Sequence, residues 1–194
     1  MFRPLLLSTV LLAAALTGCA VHPMQQKIAE SATSAAMLDA IMRLGKQGDW
    51  LAIRGLHETD NLVATVTNMP LSHAAILDLE KQQVIEAEGI GIHTTPLADF
   101  TAKSERLLLI HPVWATEEKA HAAVIQAREL VGKQYNYLGL LGFNVPDRYY
   151  CTELAMVVYK PYPSLPNPIP PVIEPGQLWH WGTVIYDSGP VLPR

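Results

Sequence analysis

The sequence predicts an α+β domain, and three observations carry that expectation. Residues 71–88 read as an antiparallel hairpin, with Ser72 to Leu79 as one strand, Glu80 to Gln82 near the tip and Gln83 to Glu88 as the return. Helical periodicity governs two other stretches, Met24 to Leu44 and Thr116 to Val131. A largely buried strand, Arg106 to Val113, stands before the second helix, with Leu107-Leu108-Leu109-Ile110 at its centre.

Residues 1–18 stand apart from that domain. Arg3 precedes an apolar run from Leu5 to Leu16 that is too short to span a bilayer comfortably and reads as a signal peptide. The run closes on Leu16-Thr17-Gly18-Cys19, which resembles a bacterial lipobox: small residues admit a signal peptidase, and the Cys19 thiol accepts a diacylglyceryl group. Ala20 follows, without the aspartate that resembles an inner-membrane retention signal. The expected location is therefore the bacterial cell envelope, on the periplasmic side of the outer membrane, with the membrane as a partner through lipidated Cys19.

The chain carries 14 Lys and Arg against 18 Asp and Glu, a net charge of −4. It has no polybasic run and no interleaved basic and aromatic patch, which argues against nucleic acid and leaves acyl chains rather than charge to hold a membrane. Of the 2 cysteines, Cys19 is expected to carry lipid, so Cys151 has no disulfide partner in an oxidising compartment. The histidines show no HExxH spacing, and neither CxxC nor GxSxG occurs. Zinc and serine-hydrolase readings lose their usual support, and no metal or other cofactor is expected.

In chain order, Ile28, Ala32, Ala35, Leu38 and Met42 form the stripe of the first helix, within an anchor and helix segment spanning residues 19–47. Gly48-Asp49 turns the chain into a short strand, Trp50 to Arg54, ended by Gly55. In the hairpin, alternation puts His73, Ala75 and Leu77 on one face. If the loop is even, Val84, Glu86 and Glu88 share it, with Glu86 or Glu88 opposite or diagonal to His73. No Asn-Gly or Asp-Gly fixes the loop, and a slip of one residue would send both glutamates to the other face. Gly89-Ile90-Gly91 turns the chain again, and Pro96 stands near the start of a short helical turn reaching Phe100. Thr116 caps the second helix, Ala120, Ala123, Val124, Ala127, Leu130 and Val131 form its buried stripe, and Gly132 stops it. Most of the 15 prolines fall after Tyr159, where Trp179 and Trp181 flank His180 in an irregular wrapping segment closed by a strand near Thr183 to Tyr186.

Tyr149-Tyr150-Cys151-Thr152-Glu153-Leu154 puts the lone interior cysteine at the start of a helix, on the stripe of Leu154, Val157 and Val158. Free backbone N–H groups and the positive end of the helix dipole lie beside the sulfur there, the setting in which nucleophilic cysteines occur. Glu153 reads as an acid that stabilises the helix start. The aromatic loop Gln134-Tyr135-Asn136-Tyr137-Leu138-Gly139 leads toward it, as loops beside reactive groups often do. A free cysteine also serves as core filling, and a strand histidine as packing, so the residues alone leave both readings open.

Several segments occur in an order that resembles one family: Gly48-Asp49-Trp50-Leu51, Leu71-Ser72-His73-Ala74-Ala75-Ile76, Val84-Ile85-Glu86-Ala87 with Gly91-Ile92, Tyr135-Asn136-Tyr137, and Tyr150-Cys151-Thr152-Glu153-Leu154. Together they resemble the permuted papain-like proteins of the YaeF/YiiX group, relatives of NlpC-type cell-wall peptidases and of lecithin retinol acyltransferase. The histidine strand preceding the cysteine helix is the permuted order. The resemblance covers roughly residues 48–160 and implies a permuted papain-like, NlpC-type fold, an antiparallel sheet or partial barrel packed against helices, in a catalytic domain expected over residues 48–194 with a Pro-rich C-terminal wrap that departs from the family. It makes Cys151 the nucleophile, His73 the base and Glu86 the orienting acid, with Glu88 as the alternative acid, and Tyr135, Tyr137, Tyr150 and Ser72 as pocket residues. Thr152 stands where the family often has serine. The implied activity is a cysteine hydrolase, an amidase or peptidase working through a thioester on peptidoglycan stem peptides or related amides. A thiol acyltransferase or lipid-ester hydrolase is the second expectation, which the apolar stretch Leu138 to Phe143 would suit, and a catalytically inactive binding lipoprotein the third.

Overall fold

The computed structural model describes residues 31–162 and 168–189. Its strands are β1 (Trp50–Gly55), β2 (His73–Asp78), β3 (Gln83–Glu88), β4 (Gly91–Pro96), β5 (Ser104–Pro112), β6 (Gln134–Tyr135), β7 (Arg148–Tyr149) and β8 (Gly182–Asp187). Six of them form one sheet in the order β4-β3-β2-β1-β5-β8, every neighbouring pair antiparallel, while β6 and β7 make a short parallel ladder of their own. The sheet is open, with β4 and β8 at its edges, so the antiparallel sheet is realised and the partial barrel is not.

Both faces of this sheet are buried, and the alternation of side chains along each strand sorts them into two cores. Trp50, Ala52, Ala74, Ile76, Ile85, Leu108 and Ile110 point to one face. They meet α4 (Glu117–Glu129) through Ala123, Val124 and Ala127, and α5 (Cys151–Val157) through Leu154 and Ala155. Leu51, Ile53, Ala75, Leu77, Val84, Leu107 and Leu109 point to the other. There they meet α1 (Ser31–Leu44) through Met37 and Ile41, and α3 (Leu97–Ala102) through Leu97 and Phe100. Burying a large apolar side chain contributes about 1.5–3 kcal/mol, so strands apolar on both sides stabilise a three-layer arrangement.

The remaining helix, α2 (Glu58–Thr67), fills a stretch that carries no clear periodicity and is rich in threonine and valine. Strand β4 was likewise hidden behind its bounding Gly91 and Pro96; as an edge strand it tolerates proline at its end. The part of the first expected helix before Ser31, and the segment holding Cys19, lie outside the described residues. Thr116 caps α4 by accepting a hydrogen bond from the Lys119 N–H at 3.2 Å. Val131, expected in the buried stripe, lies beyond the end of α4 and is 43% exposed. Gly132 takes φ +92°, the conformation that turns the chain away after the helix.

The described part of the Pro-rich segment is anchored at specific points. The Ile173 N–H donates to the Tyr150 hydroxyl at 3.1 Å, and the Thr152 hydroxyl donates to the Ile173 carbonyl at 2.5 Å. Ile173, Leu178 and Trp181 then enter the core beneath α5. From the other side, Trp50 Nε1 donates to the Ala155 carbonyl at 3.0 Å, so α5 is fixed to both the sheet and the wrapping segment.

Candidate active site

His73 is the first residue of β2 and Cys151 the first of α5, and both elements begin at the same end of the sheet. By parity His73 belongs to the face of Ala75 and Leu77, whereas Cys151 sits in the core of the opposite face. The β2–β3 ladder stops at the pair Ala75–Glu86, two residues short of His73, and α5 packs against both strands. Past that last pair the His73 ring and the Cys151 sulfur come close enough to interact.

The other side of the ring is held more tightly. His73 Nε2 lies 2.6 Å from Glu86 Oε2 and 4.0 Å from Glu88 Oε1, so of the two acids the geometry pairs the ring with Glu86. With Nε2 committed to Glu86, Nδ1 is the nitrogen left for the sulfur. Burial alone would lower the His73 pKa, but the hydrogen bonds to Cys151 and Glu86 outweigh it and push it up to about 10.

Glu86 is completely buried, and a buried carboxylate persists only when every lone pair has a partner. It accepts from Thr95 Oγ1 at 2.5 Å and from Lys103 Nζ at 2.8 and 3.0 Å in addition to His73, and His93 Nε2 stands 3.6 Å away. Burial would raise its pKa, but the hydrogen bonds of His73 and His93 and the charges around it hold it well below the carboxylate range. Glu88 has a different set of partners, Lys103 at 2.8 Å and His93 at 3.3 Å. Burial raises its pKa, but the His93 hydrogen bond together with the charges of His73 and Lys103 lowers it to about 2. Lys103, just past the end of α3, is thus the cation between two acids; burial lowers its pKa and their charges raise it further.

The aromatic loop is fastened to the first turn of α5. Asn136 is fully buried; its side chain donates to Glu153 Oε2 at 3.1 Å and accepts from the Gly139 N–H at 2.9 Å. The same Glu153 oxygen accepts from the Tyr150 N–H at 3.2 Å, the helix-start role expected of an acid there. Tyr135 lies close enough to Cys151 for the two to interact electrostatically, and its ring centroid is 4.9 Å from that of Tyr137. Tyr137 is 61% exposed, with its hydroxyl donating to the Gly89 carbonyl at 3.1 Å. Tyr150 is buried and lines a cavity of about 450 Å³ beside α5, together with Phe143, Tyr149 and Glu153; Cys151 is not among its lining residues. Ser72, expected in the pocket, instead has its hydroxyl bound to Asp60 Oδ1 at 2.7 Å and to the Gly55 N–H at 3.0 Å, where it ties β1 to α2.

Sequence reasoning missed Lys103, Thr95, His93 and Asn136 as parts of this site. His93 and Thr95 face Glu86 and Val84 across the β3–β4 ladder, so period-two alternation would have found them had β4 been recognised.

A histidine strand followed in chain order by a cysteine helix, built on an antiparallel sheet with helices on both faces, defines the permuted papain-like class. The chain belongs to the family described as permuted papain-like amidase enzymes, YaeF/YiiX, C92 family, whose profile matches residues 45–168. That membership supports a hydrolase of the amidase kind. A crystal structure described as that of metalloprotein yiiX from Escherichia coli O157:H7 has the same fold, with a TM-score of 0.50 and 23% identity. The match covers 59% of this chain and 64% of that protein. No curated protein matches the sequence.

Proposed function

We propose that this protein is a lipid-anchored cysteine amidase or peptidase that cleaves peptidoglycan stem peptides or related amides, with Cys151 as nucleophile, His73 as base and Glu86 as orienting acid. The observation that carries the reading is the chain of contacts Cys151–His73–Glu86, in which the buried acid is saturated by donors and holds Nε2 at 2.6 Å. With the proton already held on His73, the Cys151 sulfur attacks the amide carbonyl, and His73 then delivers that proton to the departing amine, leaving a thioester on Cys151. Water, deprotonated by His73, attacks that thioester and releases the acid and the free thiol. The Cys151 N–H, at a helix position with no intrahelical acceptor, is available to the oxyanion.

The related yiiX protein is described as a metalloprotein. His73, Glu86 and Glu88 offer ligand atoms within 4.8 Å of one another. Lys103 Nζ, however, lies 2.8 Å from both acids and already supplies the positive charge there, and Nε2 of His73 is bound to Glu86. A cation at this place would have to displace the ammonium and occupy the base, so the residues do not fit a resident metal.

The test is alkylation of Cys151 by iodoacetamide at pH 7, followed by intact mass, in wild type and His73→Ala. The proposal expects a fall of at least tenfold in the variant and loss of amide cleavage in Cys151→Ser. Equal alkylation rates in two folded proteins would refute it. Lipid-ester cleavage or acyl transfer is the second reading, and one observation favours it: the apolar residues exposed beside the site, Leu138, Leu141 and Phe143.

A further inference from the structure

The end of the sheet that carries Cys151 and His73 also exposes several large apolar side chains. Ile90, in the turn directly after β3, is 84% exposed, and Leu141 is 72% exposed in the 3-10 turn Leu138–Leu141. Tyr137 joins the two turns through its bond to the Gly89 carbonyl, and Phe143 is tied back to the Leu138 carbonyl at 3.1 Å. Ile90, Tyr137, Leu138, Leu141 and Phe143 therefore form one projecting patch rather than scattered exposed side chains, and such patches mark interaction surfaces.

The course of α1 says what covers it. Its C-terminal end lies at the far end of the hairpin, where a Cβ on Gly45 would meet Leu77 and the Gly48 N–H donates to the Leu77 carbonyl. Ser34, near its start, bonds Thr101 at 3.0 Å, two residues before the lysine that contacts Glu86. The chain from Cys19 thus enters the fold at the active-site end. The 12 residues from Cys19 to Ser31 reach at most about 40 Å when fully extended, so a lipid on Cys19 keeps that end within that distance of the bilayer.

We infer that the patch of Ile90, Tyr137, Leu138, Leu141 and Phe143 docks on the bilayer that carries the Cys19 anchor, presenting Cys151 to carbonyl groups of amphiphiles seated in that bilayer. The inference rests on the proposed lipid anchor and hydrolase; it narrows the substrate class from free peptides to amides or esters borne by a membrane molecule. The acyl chains on Cys19 hold the chain to the bilayer, and apolar and aromatic side chains inserted at the headgroup boundary orient the domain upon it.

The experiment uses the full lipidated chain carrying Cys151→Ser, reconstituted in vesicles of phosphatidylethanolamine and phosphatidylglycerol, with a nitroxide on Ile90→Cys, Leu141→Cys or Phe143→Cys. A label on Lys81→Cys, at the opposite tip of the β2–β3 hairpin, is the reference. Collision with oxygen relative to a water-soluble nickel chelate should be about tenfold higher at the three patch positions than at residue 81. Ratios equal to that of residue 81 would overturn the inference. So would exclusion of both reagents with spin–spin broadening, which would mean that a second copy covers the patch. Because this protein cannot turn over, the outcome is independent of the catalytic reading, which stands or falls on the alkylation rates.

Discussion

Glu86→Gln keeps the volume of a fully buried side chain and removes its charge. The carboxylate accepts from His73 at 2.6 Å, Thr95 at 2.5 Å and Lys103 at 2.8 and 3.0 Å; an amide presents one acceptor and turns two N–H donors toward the rest. A hydrogen bond to a charged group contributes about 1.5–3 kcal/mol. At about 1.4 kcal/mol per decade, losing the one that supports protonated His73 slows alkylation of Cys151 at pH 7 by about 10- to 150-fold. Stability falls as well, by about 3 kcal/mol, the lower end for breaking a buried ion pair, because Glu88 still holds Lys103 at 2.8 Å. Glu88→Gln is the matched control, since Glu88 lies 4.0 Å from the ring, and its alkylation rate should change less than about threefold. The assay is iodoacetamide labelling followed by intact mass, beside urea unfolding followed by tryptophan fluorescence. A folded Glu86→Gln protein that reacts at the wild-type rate, or a Glu88→Gln protein that is the slower of the two, would refute the reasoning.

Stability should depend on pH through the same cluster. His73 and His93 have folded pKa values pushed up to about 10 from 6.5, so their contribution is complete below pH 6.5 and is lost as pH rises through about 10. Glu86 and Glu88 are depressed from 4.5, so theirs is present above pH 4.5 and lost as pH falls toward about 2. The unfolding free energy is therefore expected to peak between pH 4.5 and 6.5, and the combined His73→Ala, His93→Ala variant should lose the alkaline slope; identical slopes would contradict the assignment. Lys103→Met should cost about 3–5 kcal/mol in urea unfolding, since it leaves Glu86 and Glu88 facing each other without their shared cation. A neutral result would mean that the acids relax into water. Trp50→Phe should cost about 1–3 kcal/mol by stranding the Ala155 carbonyl inside the core, and thermal unfolding measures it directly.

What the sequence disclosed about this site was what local periodicity encodes. Period two in residues 73–88 put His73 and both glutamates on one face on condition that the loop was even, and the ladder meets that condition with Ala75 opposite Glu86. The start of a helix at Cys151 followed from the apolar spacing behind it and from Glu153, whose carboxylate does bond the Tyr150 N–H. The partners of Glu86 were not legible because they come from an edge strand disguised by its glycine and proline, and from a lysine just past a six-residue helix, where no pattern distinguishes a buried ammonium from a solvated one. The attachment of the Pro-rich segment was invisible for a related reason: Ile173 bonds Tyr150 and Thr152 across more than twenty residues, and hydrogen bonds at that separation leave no periodic trace.

The meeting of Cys151 and His73 required a fact of a different order. Their side chains belong to opposite faces of a two-sided sheet, and for residues in the middle of their elements that placement would put the sheet between them. Contact becomes possible because each is the first residue of its element, because β2 and α5 start at the same end, and because β3 leaves β2 unpaired there. The first condition can be read from the chain, but the other two depend on strand order and on where a ladder stops. One consequence separates this arrangement from one that merely has the right residues. Moving His73 two positions inward, by exchanging it with Ala75, preserves its face and its strand and sets it directly opposite Glu86. It would nonetheless carry the ring behind the β2–β3 ladder, away from the sulfur, and alkylation of Cys151 should fall as far as in His73→Ala.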